Sequence, residues 1–283
     1  MLPIVAGGSL SLVQYVGGLV AALVGVLGIL LVNAGRNKRA LAAARRNARE
    51  RPPGAVDEPG LVRVRGRVTP VGETAAFESP VAGDPETVLA AWTIEERYDY
   101  GTSRSWEDAA RGVSSTRFSL DDADLRVDAG ERVVGNETDE VVTPAAAAVA
   151  AGVGLSDRQC FFESMDVHVE TDCGEAPPAR LARWLRATDG VSVEPMASAG
   201  VDESERRYSE ATVRAGDEVC VLGYAADAGA PDGALSLRPS EEHPLYVSTR
   251  PFDDLGDGTA ELATGALCVV AAIGLAAAVF LVL

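Results

Sequence analysis

The sequence predicts an α+β protein: a mainly antiparallel β soluble domain with a helical insertion, held between two transmembrane helices. Three observations carry that expectation. The uncharged apolar segment from about Leu10 to Val32 is long enough to cross roughly 30 Å of hydrocarbon as a helix, and a second such segment, Leu262 to Leu283, closes the chain. Between them, short runs alternate apolar and polar side chains with the period of half-buried strands. One proline-led stretch instead spaces its apolar residues as a helix does. The expected organisation is residues 1–9 as a short extracytoplasmic N-terminus and 10–33 as a transmembrane helix. A basic juxtamembrane helix and linker (34–60), a soluble domain (61–250), an acidic linker (251–261) and a second transmembrane helix (262–283) follow.

The first segment is followed by RNKRALAAARRNARER, which holds seven of the chain's 25 Lys and Arg residues: Arg36, Lys38, Arg39, Arg45, Arg46, Arg49 and Arg51. Met1 to Ser9 carry no charged side chain. Lys and Arg clustered beside a span mark its cytoplasmic end, so the soluble domain is expected in the cytoplasm and the protein in the cell membrane. Without a basic start, and too long for a signal peptide, the first span is expected to stay as an anchor. The basic cluster faces the headgroup region, where such clusters contact anionic lipids. Within the span, Gly17, Ala21 and Gly25 recur every four residues on one helical face, and Gly274 and Ala278 offer a shorter version in the second span. Small residues at this spacing let another helix approach closely. The two spans packing together and a homo-oligomer both satisfy the pattern, and the abundance of Gly and Ala would produce it without either.

The formal charge of −17 conceals an asymmetry. Asp57 to Glu261 contains 41 of the 42 acidic residues against 18 arginines and no lysine. Such a surface fits solubility at very high salt, where self-repulsion is screened, and points to a halophilic, archaeal-type source; an ordinary acidic domain is the alternative. It also argues against nucleic-acid binding by counterion release. Cys160, Cys173, Cys220 and Cys268 are scattered singly, without C-x-x-C or zinc-like spacing, and are expected reduced and partly buried.

In chain order, the alanine-rich basic run continues the first helix until Pro52 and Pro53 stop it. In LVRVRGRV, Val62, Val64 and Val68 face one way and Arg63, Arg65 and Arg67 the other. ESPVAGDP (Glu78 to Pro85) is rich in turn formers, and TVLAAWTIEERY reads as a strand. Asp99 to Gly112, with Trp106, reads as a loop. STRFSL places Thr116, Phe118 and Leu120 on one face, and DDADLRVDAGERVV reads as a hairpin-like pair of short strands. Thr143-Pro144 caps AAAAVAAGVGL as a buried helix. FFESMDVHVE directs Met165, Val167 and Val169 inward and Asp166, His168 and Glu170 outward. Pro177-Pro178 introduces an amphipathic helix with Leu181, Trp184 and Leu185 on its apolar face and Gly190 beyond its end. RYSEATVRAGDEVCVLGYA and PLYVSTRPF return to strands.

Chemistry-bearing patterns are sparse. His168 lies on the solvent face of a strand and His243 in a loop, neither with ligand spacing, so both read as solvated or structural; the sequence implies no cofactor and no metal. Ser79 lacks the context of a nucleophile elbow, and Gly152-Val153-Gly154-Leu155 lacks the lysine and preceding strand of a phosphate loop. Asp121 to Asp124 reads as a solvated turn. Asn136 begins a glycosylation acceptor that only an outward-facing domain would use.

The domain nevertheless resembles a known family. RGRV (Arg65 to Val68), SPVAGDP (Ser79 to Pro85), the strand with Trp92 and Glu95, TRFSLDDADLRVDAGE, SEATVRAGDEVCVLGYA and PLYVST follow one another in an order that looks like the GIDE-type, or "beside a membrane", domain. That domain occurs in membrane-anchored E3 ubiquitin ligases of mitochondrial outer membranes and in prokaryotic relatives. The resemblance covers roughly residues 61 to 250, with a longer middle segment. Its motif positions map to Gly66, Ser79, Pro80, Gly83, Phe118, Glu210, Gly216 and Gly223, the glycines and proline as turn or bulge requirements. Family ligases carry a zinc-binding RING after the second span. Here the sequence ends at Leu283 inside that span, so ligase activity is not carried over. The mitochondrial members place the domain in the intermembrane space, whereas the charge bias here places it in the cytoplasm. The resemblance thus implies a non-catalytic, membrane-apposed interaction or sensing module with a protein or small-ligand partner. Two alternatives are a component of a ubiquitin-like conjugation pathway relying on a separate RING subunit, and an unrecognised hydrolase or metal enzyme.

Overall fold

The computed structural model describes residues 12–72, 76–99, 104–135, 151–172, 174–191, 205–227, 234–240 and 242–281. The expectations for residues 1–9, Asn136, Thr143-Pro144 and Cys173 lie outside them. The architecture is α+β with mostly antiparallel strands, and an apolar helix at each end of the sequence flanks the β domain. It forms two compact units: Met1–Ala42 with Gly256–Leu283, and Ala43–Leu255.

The helical unit consists of α1 (Leu12–Asn47) and, at the far end of the chain, α3 (Thr259–Leu281). Both are long and apolar enough to cross a membrane. They run antiparallel, with Gly17 against Val279, Gly25 against Ala272, Gly28 against Gly265 and Val269, and Gly35 against Gly258 and Leu262. A Cβ added at Gly28 would lie 2.8 Å from Val269 Cγ2 and 2.9 Å from the Gly265 carbonyl oxygen, so this approach requires glycine. Lys38, the chain's single lysine, is buried against Glu261 of α3 as an ion pair. Gly274 meets nothing within 4 Å and Ala278 is exposed, so that pair takes no part in the seam. Away from the seam, Tyr15, Leu19, Leu23, Leu267, Val270 and Ile273 project apolar surface outward, Tyr15 and Leu267 at 67% and 69% exposure.

In the second unit α1 ends at Asn47, short of the prolines expected to stop it. Arg49–Glu50 leave the helix as a short strand, β1, because pairing in parallel with Val62–Arg63 supplies new backbone partners. The remaining strands are β2 (Gly60–Pro70), β3 (Thr87–Asp99), β4 (Arg104–Ser115), β5 (Phe118–Leu120), β6 (Arg126–Val127) and β7 (Arg132–Gly135). After these come β8 (Ala151–Gly154), β9 (Arg158–Phe162), β10 (Asp166–Thr171), β11 (Arg206–Arg214), β12 (Glu218–Asp227), β13 (Leu235–Leu237) and β14 (Leu245–Ser248). Strands β2, β5, β6, β13 and β12 pair in a closed ring, because β12 also pairs directly with β2. Strands β14, β9 and β8 extend from β12. Inside the ring, Val62, Val64 and Val68 of β2 meet Phe118, Leu120, Val127, Val219, Val221 and Leu237, while Arg65 and Arg67 stay exposed.

The second sheet, in the order β10-β11-β3-β4-β7, is wholly antiparallel. Its two faces do different work. Leu89, Ala91, Val113, Val134 and Val213 join the core of the ring. Trp92, Ile94, Ala110 and Tyr208 instead pack against Leu181 and Leu185 of α2 (Ala179–Ala187). Trp184 meets Trp92 edge to face at 4.8 Å between centroids. Gly190, at φ +79°, follows the helix end.

Four further sequence expectations are corrected. Arg104–Gly112 is not a loop but most of β4, paired through its length with β3. The strands expected as a hairpin after Asp121 separate, β6 joining the ring and β7 the second sheet. Ala151–Gly154, expected at the end of a buried helix, is strand β8; the rest of that helix lies outside the described residues. Val167 is 46% exposed, because a register shift between Val167 and Val169 breaks the expected alternation.

Candidate functional site

Ser79 to Gly83 and Glu210, far apart in sequence, meet around one buried carboxylate. Strand β11 places Glu210, 1% exposed, beneath the loop that precedes β3. The Ser79 hydroxyl donates to Glu210 Oε2 at 2.8 Å, the Ala82 N–H to the same oxygen at 2.7 Å, and the Val81 N–H to Oε1 at 3.1 Å. Ser79 Oγ in turn accepts the Asp84 N–H at 3.0 Å. On the other side of the loop, Arg180 of α2 donates to the carbonyls of Ser79 and Pro80 at 3.0 and 2.8 Å, and also to that of Val81. Gly83 sits at φ +76°, and a Cβ there would come within 2.8 Å of the Arg180 guanidinium. The loop is therefore held from both sides, its N–H groups by a carboxylate and its carbonyls by a guanidinium. Charge-assisted contacts of this kind, three to each charged group, are stronger than neutral ones.

Other motif positions are placed separately. A Cβ at Gly66 would lie 2.7 Å from Asp121 Oδ2, and Asp121 Oδ1 accepts the Arg67 N–H at 2.8 Å. Asp121 and Asp122 hold the left-handed turn, at φ 53° and 58°, that a short carboxylate tolerates. Gly216, at φ +87°, makes the turn from β11 to β12, and Gly223 leaves room for Leu245. Phe118 is fully buried in the ring. Arg180 was not legible as a partner of this loop, since nothing in its helical spacing distinguishes it from Arg183 or Arg186.

Beside the clamped loop lies a groove of about 460 Å³, bordered by Asp84, Glu163, Asp166, His168, Arg214 and Asp217, with Glu210 in its wall. Burial pushes the Asp84 carboxyl up, but the Glu86 N–H and the Arg214 guanidinium outweigh it and hold the group below the usual carboxylate range. His168 Nε2 donates to the Glu210 carbonyl oxygen at 3.3 Å, on the exposed strand β10. His243 stacks on Tyr224, ring centroids 4.6 Å apart. Cys160 is buried and its thiol is pushed up to about 12 by desolvation, which removes it as a nucleophile at neutral pH. Among the described residues, no three His, Cys, Asp or Glu side chains are placed to hold a metal ion.

The basic cluster divides. Lys38 is tied to Glu261, and Arg45 donates to the Phe252 carbonyl oxygen at 2.5 Å and faces Asp253 at 3.6 Å. Arg36, Arg39, Arg46, Arg49 and Arg51 are exposed. Gly17 and Gly25 lie in the α1–α3 seam with Ala21 buried between them. Comparison with family models, curated proteins and solved structures returns no match.

Proposed function

We propose that this chain is a two-span integral membrane protein whose acidic β domain works on the cytoplasmic side as an interaction or sensing module of the GIDE-like kind. The observation that carries the reading is the helical pair. Its inner faces pack closely through glycines, Gly28 on Gly265 and Gly35 on Gly258, while its outer faces present exposed Leu, Val and Ile, the arrangement of helices whose solvent is lipid. The exposed arginines after the first span support a cytoplasmic domain. The Ser79–Glu210–Arg180 clamp supports a binding role for this region. Its polar atoms hold the loop in one shape beside the groove, and Glu210 spends its acceptors on that loop rather than on a reacting group.

The test is purification of the full chain in mild detergent at high salt, with mass spectrometry of what accompanies it. A recurring protein partner that is lost from Asp84→Arg or Asp166→Arg variants is the expected result. Recovery of a ubiquitin-like modifier or a RING protein would favour the conjugation-pathway reading instead. A purified domain that turned over a substrate would overturn the non-catalytic reading.

A further inference from the structure

A second concavity, of about 370 Å³, lies within the β unit where the chain passes to its two apolar helices. One wall is Glu50–Pro52, just after α1. The opposite wall is Pro251–Asp253, shortly before α3. Arg63 and Arg65, on the outward face of β2, complete it with Cys220, which lies opposite Arg65 on β12. The interior is apolar, with Phe252 2% and Cys220 8% exposed and Pro52 and Pro251 beside them. Arg45 ties the walls together through the Phe252 carbonyl oxygen.

The charges are arranged unlike those of the rest of the domain. Arg63 is positioned by Glu50 and by Asp253, the latter at 3.3 Å, and Arg65 by Glu218. Arg51 is exposed and has no ion pair among the described residues. Three arginines and two carboxylates, Glu50 and Asp253, thus line an apolar floor, an arginine-rich balance in a domain where carboxylates outnumber arginines more than two to one. Guanidinium groups offer five donors each, so those already in ion pairs keep N–H groups for a further oxyanion. A soluble anion has no use for the apolar floor. A phospholipid headgroup, with its phosphate among arginines and its glycerol backbone on carbon, matches both parts.

We propose that the cleft bounded by Arg51, Arg63, Arg65 and Phe252 binds the phosphate of an anionic membrane lipid headgroup and seats the β domain against the bilayer. This rests on the two-span reading, and the two can fail separately. Release of the chain from membranes by alkaline carbonate would overturn the spans themselves. A chain that stays in the membrane but shows no headgroup preference would overturn only the cleft assignment.

The experiment is native mass spectrometry of the full chain in non-ionic detergent, titrated with phosphatidylglycerol or phosphatidylcholine. The wild type is expected to retain phosphatidylglycerol preferentially. R51Q/R65Q should lower that preference about tenfold, with two of the cationic partners gone. R117Q, at an exposed arginine outside the cleft lining and paired with Asp128, should leave it unchanged. Equal retention of both lipids by the wild type, or an unaltered preference in R51Q/R65Q, would overturn the proposal. Should the double variant not fold, maleimide labelling of Cys220 in the wild type decides the matter, because that thiol lines the cleft. Slower labelling with phosphatidylglycerol but not with phosphatidylcholine supports the assignment, and no change with either overturns it. Protection by inorganic phosphate alone would replace the lipid with a soluble phosphate ligand.

Discussion

Glu210 accepts hydrogen bonds from a loop that lies 131 residues earlier in the chain at Ser79. Truncating it leaves the buried Val81 N–H, the part-buried Ala82 N–H and the Ser79 hydroxyl without their acceptor. Glu210→Ala is therefore expected to cost about 2–4 kcal/mol of stability, read as a lower denaturant midpoint for the detergent-solubilised chain. Ser79→Ala should cost less, since Ala82 and Val81 keep their carboxylate. Acid should act on Asp157. Burial pushes the Asp157 carboxyl up, but Arg158, bonded to both its oxygens, and Arg132 at 3.3 Å outweigh that and hold it below the usual range. A carboxylate depressed in the folded state adds stability that is present above its unfolded pKa of about 4 and is lost as pH falls through the folded value. Stability should thus decline below about pH 4, and Asp157→Asn should flatten that part of the pH profile while lowering stability at neutral pH.

At the scale of elements, β4 shows how packing overrides a polar sequence. RSWEDAARGVSS has few β-branched residues, and its charges read as solvent-facing. Pairing with β3 instead buries Arg111 at 1% exposure beside Asp108, and aligns Trp106 under the Arg207 guanidinium at 4.1 Å from its ring centre. Gly112 sits opposite Trp92, and any Cβ there would collide with the indole ring. Gly112→Ala is expected to cost about 1–3 kcal/mol through overpacking, and to raise tryptophan fluorescence sensitivity to quenchers as Trp92 is displaced from its contact with Trp184. An unchanged melting temperature and spectrum would count against this packing. By contrast, β2 was legible from sequence because its valines and arginines alternate strictly, and α2 because its apolar residues repeat at helical spacing.

At the scale of the whole molecule, net charge sets the dependence on solvent. With 42 acidic residues against 25 basic ones, mutual repulsion opposes the compact state at low ionic strength. Added salt screens it, with a Debye length of about 10 Å at 0.1 M and about 3 Å at 1 M. The melting temperature of the detergent-solubilised chain should rise between these two concentrations, and more steeply in chloride salts than a neutral osmolyte of equal osmolarity can achieve. A flat response would show that the local arginine–carboxylate pairs already balance the field.

Sequence alone determined the features that depend on near neighbours. These are two apolar stretches long enough to span, a basic run after the first, strands with strict alternation, one amphipathic helix and an acidic surface. Each follows from periodicity or composition within a few residues, which local sterics and burial translate directly into structure. Tertiary structure decided what depends on distant partners. It closed β2, β5, β6, β13 and β12 into a ring, turned a polar segment into β4 and matched Gly28 with Gly265 across two helices. It also brought Ser79, Glu210 and Arg180 together at one loop. The physical reason is that a buried carboxylate or a missing Cβ acquires meaning only from the donor or backbone placed against it, and the fold, not the local pattern, chooses that neighbour.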